Sequence, residues 1–198
     1  MRVFVATKNV GKLRELRAIF AGSGWVLESY PEYVEPEEGP TSYDDNAALK
    51  ARALRAQLEA AGVDGGVLGD DSGIEVTALD GRPGVLSARY GGETANWSER
   101  RRALLRELDG AGSADRSARF VCVLHFIDRA GREFSARGEI EGSLAAAERG
   151  SAGFSFDPIF EYLPAGKTFA EMPEEVKNAV SHRARAARAL LDAVRAAV

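Results

Sequence analysis

Three side chains suited to an anionic ligand lie close together near the end of the chain. Lys177, His182 and Arg183 fall within residues 172–183, just before a long segment rich in Ala and Arg. Cationic and imidazole donors grouped at a helix entrance favour a polar, anionic ligand, because backbone N–H groups there are unpaired and the helix dipole attracts negative charge. The Ser-His-Arg triplet alone is weak evidence, since one amphipathic helix with surface Lys and Arg has the same residues.

The spacing of these residues indicates that the closing helix is broken. In one continuous helix, Lys177 and Arg183 would lie about 120° apart around the axis and could not easily share a ligand. Pro173 and the two glutamates after it suit the first turn of a short helix, and Ser181 suits the N-cap of another. The sequence therefore predicts a break near residues 179–180, with Arg183 in the first turn of the last helix.

A second candidate site lies near the N-terminus, where a strand feeds a helix. Residues 7–12 read Thr-Lys-Asn-Val-Gly-Lys. Gly11 permits close approach of the backbone to an anion, while Lys8 and Lys12 supply positive charge. The Gly-x-x-x-x-Gly-Lys-Ser/Thr pattern is absent, so this segment is not a P-loop. A turn followed by an N-capped helix with solvated lysines is an equally good interpretation.

Two pairs of acidic residues are candidate metal ligands. Asp70 and Asp71 begin an Asp-Asp-Ser-Gly segment after an apolar run, and Glu37 and Glu38 lie in a loop upstream of a helix. Carboxylates combined with phosphate oxygens are what Mg²⁺ prefers, because it takes few protein ligands and keeps several waters. A capped turn without metal is the simpler interpretation of Asp-Asp-Ser-Gly.

Aromatic and acidic side chains occur together in residues 153–158, which read Gly-Phe-Ser-Phe-Asp-Pro. This segment offers a ring for stacking, and Asp157 offers an acceptor for the edge of a base or for a sugar. Pro158 would hold an extended or turn conformation. The same combination is also common in cores and hairpins.

Together, the four stretches resemble the inosine triphosphate pyrophosphatase (Ham1-like) family, hydrolases of non-canonical purine nucleotides. The resemblance covers nearly the whole chain in the family's order and spacing. It implies a Mg²⁺-dependent enzyme that converts ITP, dITP and XTP to the monophosphate and pyrophosphate. It also implies one domain over residues 1–198, usually a homodimer, with an elongated mixed α/β sheet and two lobes around a central nucleotide-binding cleft.

The resemblance implies the metal ligands. Asp71 is expected to accept a proton and to bind the metal. Glu37 aligns best as the second ligand and Glu38 is possible instead, because Gly39 and Pro40 depart from the family's usual sequence.

The resemblance also implies a set of nucleotide contacts. They are Thr7, Lys8, Asn9, Lys12, Ser72, Phe154, Ser155, Phe156, Asp157, Lys177, His182 and Arg183. Within this set, His182 and Arg183 are expected to recognise the 6-oxo edge of the purine. Lys8 stands where the family usually has a small residue, and Ser155 stands where it usually has Gly. Ser155 is therefore the position where base preference is most open to change.

Bulk properties limit the other function classes. Of 198 residues, 45% are hydrophobic and 28% are charged, with a formal net charge of −4. A mildly acidic chain is a poor candidate for general nucleic-acid binding, which needs a concentrated basic face. Cys122 is the only cysteine, so no intramolecular disulfide is expected, and a buried inert thiol is favoured. Without a signal-peptide pattern or a membrane-spanning apolar run, the chain is expected to be soluble and cytoplasmic.

The hydrophobic pattern predicts strands alternating with helices, followed by a meander of strands. Predicted strands are 2–6, 25–29, 67–70, 74–79, 118–128, 132–140 and 142–146, and predicted helices are 12–20, a segment ending near 61, 94–108 and the broken closing region.

Two alternative functions stay open from the residues. One is a related pyrophosphatase that prefers other modified or pyrimidine triphosphates, motivated by Lys8 and Ser155. The other is a nucleotide-binding protein without turnover, against which the candidate water-activating carboxylate Asp71 argues. Lys50 is a further candidate phosphate contact.

Overall fold

A computed structural model describes residues 1–92 and 94–197. Its regular elements are strands β1 (Arg2–Ala6), β2 (Val26–Ser29), β3 (Gly66–Val76), β4 (Ser117–Ile127), β5 (Glu133–Leu144), β6 (Phe160–Tyr162) and β7 (Lys167–Thr168), and helices α1 (Val10–Ile19), α2 (Tyr43–Ala60), α3 (Trp97–Gly110), α4 (Glu174–Val180) and α5 (His182–Ala196). Among these residues, no helix has both the length and the apolar character needed to cross a membrane.

The seven strands of the described chain form one mixed sheet in the order β2-β1-β3-β4-β5-β6-β7. Strand β1 pairs in parallel with both β2 and β3, whereas β6 pairs antiparallel with β5 and β7. Parallel neighbours need a crossover connection, and α1 and α2 lie in the connections that lead from β1 to β2 and from β2 to β3. The predicted mixed α/β class is confirmed.

The chain divides into two compact units, and strands β3, β4 and β5 contribute residues to both. The first unit comprises Met1–Ser72, Cys122–Gly138 and Ser181–Val198, and the second comprises Gly73–Val121 and Glu139–Val180. The second unit has its own apolar core, built largely from α3, the aromatic residues after β5 and the ends of the long strands.

In the first unit, strand β1 is buried on both faces. Its valines, Val3 and Val5, belong to one apolar cluster with side chains of α1 and α5. The intervening Phe4 and Ala6 belong to another cluster with side chains of α2. Because successive side chains of a strand point to opposite faces, α1 and α5 cover one face of this part of the sheet and α2 covers the other. Each large apolar side chain buried in this way contributes roughly 1.5–3 kcal/mol.

Strand β3 is continuous through residues 70–73, so the prediction of two strands separated by an Asp-Asp-Ser-Gly turn is wrong. The sequence composition is typical of a turn, but the strand pairs with β1 up to Gly69 and stays extended to Val76. The two aspartates do not need a turn to satisfy their oxygens, because basic side chains from the helices on either face bind them.

Strand β5 is also longer than predicted, and the separate strand predicted at 142–146 is wrong. Residues 142–144 continue β5 to Leu144. Gly142 marks a close approach instead of a break, because a Cβ there would lie 2.4 Å from the carbonyl oxygen of Glu161. The strand that approaches is β6, which at three residues was too short to be predicted from its pattern.

The ends of the helices follow their capping residues. The break in the closing helix is confirmed: α4 ends at Val180, and the Ser181 hydroxyl accepts a hydrogen bond from the backbone N–H of Ala184 at the start of α5. Helices α1 and α3 begin at Val10 and Trp97 instead of at residues 12 and 94, because asparagines at the preceding positions cap them.

Two glycines allow helices of the first unit to lie directly on the sheet. A Cβ on Gly69 of β3 would lie 2.1 Å from the carbonyl oxygen of Ala47 in α2. A Cβ on Gly138 of β5 would lie 2.3 Å from the carbonyl oxygen of His182, the first residue of α5. No other residue type fits at either position without displacing backbone. The close approach sets the height of the first turns of α2 and α5 above the strands.

Candidate active site

Asp70 and Asp71 are neighbours in the extended strand β3, so their side chains point to opposite faces of the sheet. Asp70 meets Lys12 of α1 and Arg183 of α5. Asp71 meets Lys50 of α2. Two separate charged clusters of the first unit therefore originate from two consecutive residues.

The Asp70 side chain is buried and held by two cations. The Nζ of Lys12 lies 2.5 Å from Oδ1, and the Nε of Arg183 donates to Oδ2 at 2.9 Å. Burial opposes ionisation of this carboxyl, but Arg183 and Lys12 hold the pKa of Asp70 well below its ordinary value. Asp70 is thus a permanently ionised carboxylate committed to protein partners, which suits a structural role more than proton transfer.

Arg183 is engaged on all three of its guanidinium nitrogens within the first unit. Its Nη1 donates to the carboxylate of Glu15, and its Nη2 donates to the hydroxyl of Ser72 at 3.0 Å. Burial alone would lower the pKa of Arg183, but Asp70 and Glu15 raise it and keep the charge. Only 2% of the residue is exposed. The contact between Arg183 and a purine edge therefore stays a prediction.

The loop of residues 7–12 is organised by its own side chains. The Oδ1 of Asn9 accepts a hydrogen bond from the backbone N–H of Lys12 at 3.1 Å, and Thr7 Oγ1 accepts one from the N–H of Asn9 at 3.1 Å. Lys8 is exposed, and its backbone N–H donates to Glu35. The capping interactions fix the first turn of α1, and Lys12 is the cation that joins this loop to β3.

Asp71 forms the second charged cluster with two residues one helical turn apart in α2. Lys50 Nζ donates to Oδ1 at 2.9 Å, and Asn46 Nδ2 donates to Oδ2 at 3.3 Å. Burial raises the pKa of Asp71, against the opposing effect of Lys50 and Lys12. The neighbouring carboxyls therefore have pKa values shifted in opposite directions, and perturbed pKa values are common at functional sites.

The acidic loop brings Glu38 to this cluster, whereas Glu37 is exposed. The Glu38 carboxylate forms an ion pair with the same Lys50 ammonium that binds Asp71. Asn46 fastens the loop, because its Oδ1 accepts from the N–H of Gly39 and its Nδ2 donates to the carbonyl of Gly39, each at 3.0 Å. The arrangement favours Glu38 over Glu37 as the second acidic ligand.

The donor set on this face suits a hard divalent cation. Asp71 and Glu38 supply carboxylate oxygens that converge on one ammonium nitrogen. Mg²⁺ is commonly bound by one or two carboxylates, with waters and substrate phosphates completing its six ligands. The described residues include no group of three or more His, Cys, Asp or Glu that could hold a metal, so a cation here needs ligands from outside the protein.

In the second unit, Asp157 organises the aromatic segment of residues 153–158. Its Oδ2 accepts from the backbone N–H of Phe154 at 2.8 Å and from Lys177 Nζ at 2.6 Å. The same ammonium lies 5.0 Å from the centre of the Phe154 ring, within cation–π range. Asp157, Lys177 and Phe154 therefore form one connected group.

The two phenylalanines of this segment differ in their surroundings. Phe156 is fully buried and packs edge-to-face on Trp97 of α3, with ring centres 5.5 Å apart. Phe154 is only half-buried, so part of its side chain is exposed. Ser155, between them, adopts a left-handed conformation with φ of 60°. The nucleotide contact predicted for Phe156 stays a prediction, while its observed role is core packing.

The structure distributes the remaining predicted residues over the two units. Lys177 of α4 lies with Asp157 in the second unit, whereas His182 and Arg183 begin α5 in the first. His182 is buried, with 5% of the residue exposed. Cys122 is buried as predicted, and burial together with nearby Asp70 raises its pKa well above the ordinary value.

Sequence reasoning missed two residues of these clusters, Glu15 and Asn46. Glu15 lies three positions after Lys12 in α1, next to the buried Leu16, and an acidic residue on a buried helix face is a signal for a charged partner. Asn46 precedes Lys50 by four positions, so the two share one face of α2.

Taken together, these features define an α/β protein whose lysine and carboxylate clusters suit an anionic, metal-bound ligand. The Ham1 family profile matches residues 3–193, and the chain belongs to this family. The dITP/XTP pyrophosphatase of Geobacter sulfurreducens is 42% identical over 195 residues, which cover 96% of this chain and 95% of the relative. The dITP/XTP pyrophosphatase of Thermus thermophilus is 43% identical, covering 98% and 91%. A HAM1 protein from Coxiella burnetii has a similar structure, with a TM-score of 0.84, 32% identity and coverage of 99% of both chains.

Replacing Asp70 with Asn is expected to destabilise the first unit strongly at neutral pH. The change leaves Arg183 and Lys12 without the carboxylate that neutralises them. Removing one partner of a buried ion pair lowers the free energy of unfolding by about 3–5 kcal/mol. Urea unfolding of Asp70→Asn measures the loss. Asp192→Asn is the matched control, because Asp192 pairs with Arg195 on the exposed face of α5, and it is expected to change stability by no more than about 0.5 kcal/mol. Equal stability of the two variants would contradict the structural role of Asp70.

Proposed function

We propose that this protein hydrolyses the non-canonical purine nucleoside triphosphates ITP, dITP and XTP to the monophosphate and pyrophosphate, with Mg²⁺ as cofactor. The observation that carries the proposal is the Asp71–Lys50–Glu38 cluster, in which two carboxylates and a lysine converge at the surface of a buried strand. Membership of the Ham1 family and the dITP/XTP pyrophosphatases among its relatives support the substrate class.

The first unit supplies the groups for the polyphosphate. Asp71 and Glu38 would hold Mg²⁺, which when bound neutralises phosphate charge. Lys50 and Lys12 add positive charge that stabilises the charge developing on the phosphate oxygens, the dominant contribution in phosphoryl transfer. The first turn of α1, capped by Asn9, presents backbone N–H groups to an anion.

Asp71 is proposed to activate the attacking water. A carboxylate oxygen beside the attacking water can accept its proton as the new bond forms. Water oxygen bonds to a phosphorus as its proton passes to Asp71, and the bond between the α- and β-phosphates breaks to release pyrophosphate. Lys50 and Asn46 hold the Asp71 carboxylate in a fixed orientation for this step.

Base recognition is proposed for the aromatic group of the second unit, and the contact of His182 and Arg183 with the 6-oxo edge of the purine is a separate expectation from the resemblance. Phe154 supplies a ring for stacking, while Asp157 and Lys177 supply polar atoms. A donor facing the 6-position favours the oxo group of hypoxanthine and xanthine over the amino group of adenine, because two donors cannot pair. Discrimination against guanine has to rest on contacts near the 2-position.

We also propose a homodimer, which the resemblance implies, and a cytoplasmic location. A preference for another modified or pyrimidine triphosphate is the alternative within the same chemistry, favoured by the exposed Lys8 and the left-handed Ser155.

Release of pyrophosphate from a panel of nucleotides tests the proposed function. The panel comprises ITP, XTP, dITP, GTP, ATP and dTTP, each with Mg²⁺ and with EDTA. Fast, metal-dependent release from ITP, XTP and dITP alone is the expected result. Release from a different set of nucleotides would support the hydrolysis and contradict the base assignment. No release from any nucleotide would indicate a nucleotide-binding protein without turnover.

Glu38→Gln is expected to weaken Mg²⁺ activation much more than Glu37→Gln does. The first change removes a carboxylate that converges with Asp71, whereas the second alters an exposed side chain. A rise of at least about tenfold in the Mg²⁺ concentration for half-maximal pyrophosphate release is expected for Glu38→Gln. The two variants have the same charge, so each serves as the other's control. A larger effect of Glu37→Gln would indicate that Glu37 is the metal ligand.

A further inference from the structure

Ser155 holds a backbone conformation that its side chain disfavours. Its φ of 60° lies in the left-handed region, and among the described residues only Asp80 and Ser155 adopt a positive φ without being glycine. The Cβ of an L-residue crowds the following carbonyl there, so surrounding contacts must hold the conformation in place. Unlike Asp80, Ser155 lies inside the segment proposed to bind the base.

Arg101 of α3 makes the contact that holds this residue. Its Nη1 donates to the carbonyl oxygen of Ser155 at 2.8 Å. Its Nη2 donates to Oε2 of Glu148 at 2.9 Å, and Glu148 also accepts from the hydroxyl of Ser98 at 3.2 Å. The guanidinium is thus bound on both sides, and only 12% of its side chain is exposed. A charged donor oriented by a second partner forms a stronger hydrogen bond than a neutral one.

Helix α3 contacts the segment of residues 153–158 at a second point. Trp97 precedes Arg101 by four positions, so both side chains lie on one face of α3. Trp97 packs against Phe156 while Arg101 binds Ser155, so consecutive residues of the segment are fixed by one helix face. On the other side of Ser155, the Phe154 backbone is tied to Asp157. The position of Phe154 is therefore set by the contact on Ser155 and by its own backbone hydrogen bond to Asp157.

We propose that Arg101 is a positioning residue for base recognition: it holds Ser155 in its left-handed conformation and thereby places the half-buried Phe154 ring for stacking on the base. The proposal rests on the proposed function of the segment. Arg101 itself contacts neither base nor phosphate in this account. Its loss should weaken binding of the base, and therefore raise KM, while the groups around Asp71 that carry out hydrolysis keep their rate.

The experiment measures kcat and KM for dITP and XTP in six proteins. They are the wild type, Arg101→Ala, Ser155→Gly, the double variant with both changes, Glu148→Gln, and Arg102→Ala as matched control. Arg102 is the next arginine of α3, is exposed, and donates to Ser98 instead of to the segment. Glu148→Gln is added as a milder variant, because it weakens the orientation of Arg101 without removing its side chain.

Arg101→Ala is expected to raise KM about tenfold, as loss of one hydrogen bond from a charged donor does, and to change kcat less than about twofold. Glu148→Gln should raise KM in the same direction by a smaller factor. Glycine adopts the left-handed conformation without a Cβ clash, so Ser155→Gly should restore part of the affinity lost in Arg101→Ala. Arg102→Ala should behave as the wild type.

Three results would overturn the proposal. They are an unchanged KM in both Arg101→Ala and Glu148→Gln, a loss confined to kcat, and a double variant no better than Arg101→Ala. Failure of the proposed function is distinguishable from these, because then the wild type itself would release no pyrophosphate from dITP or XTP. If Arg101→Ala does not fold, the KM of Glu148→Gln, compared with that of Arg102→Ala, decides the outcome.

Discussion

Two consecutive carboxylates in a buried strand impose the main constraint on the first unit. An unpaired buried carboxylate costs several kcal/mol, so both Asp70 and Asp71 need cationic partners. Because the strand is extended, the partners have to come from opposite faces of the sheet. Helices α1 and α5 bring Lys12 and Arg183 to one face, and α2 brings Lys50 to the other. The close packing of Ala47 on Gly69 sets α2 at the height this requires.

This constraint also separates the chemical properties of two residues of the same type. Asp70 has a guanidinium and an ammonium as partners, and its pKa falls well below the ordinary value. Asp71 shares its ammonium with Glu38, and burial raises its pKa. Burial raises both pKa values, but Arg183 and Lys12 outweigh it at Asp70, whereas Lys50 and Lys12 do not outweigh it at Asp71, where the Glu38 charge also raises the pKa. One carboxylate thereby anchors helices α1 and α5, and the other is the proposed acceptor of a proton from water.

In the second unit, a single carboxylate also holds neighbouring groups in place. Asp157 holds the segment of residues 153–158 by binding both the Phe154 backbone N–H and the Lys177 ammonium. The shared use of one carboxylate by a backbone N–H and a lysine makes the segment and α4 a connected group. Side-chain partners of this kind substitute for the regular hydrogen bonds that a loop lacks.

Much of the fold was predictable from local patterns, because local rules controlled those elements. The apolar run of β1 and the cap at Ser181 with the break before α5 follow from hydrophobic pattern and capping chemistry. Residues 71–73 could not be assigned to a strand from the sequence, because their turn-like composition is overridden by Lys12, Lys50 and Arg183, which are distant in sequence.

For the candidate site, residue types were predictable but partners were not. The acidic and basic residues of the clusters stood out in the sequence, yet the pairing of Arg183 with Glu15, 168 positions away, depends on how α1 and α5 pack. The position of Glu38 beside Lys50 depends in the same way on Asn46, which binds the loop to α2. Burial of Phe156 and exposure of Phe154 reflect packing on α3, which the sequence of the segment does not contain.

The central claim is that Asp71 is the residue that activates water while its neighbour Asp70 is structural. The most direct test is the rate of pyrophosphate release from dITP by Asp71→Asn at saturating Mg²⁺, with its urea unfolding midpoint measured on the same sample. The account predicts a loss of about 10²–10⁴-fold in kcat, the contribution of a positioned general base, together with a folded protein. A folded Asp71→Asn variant that retains the turnover of the wild type would contradict it.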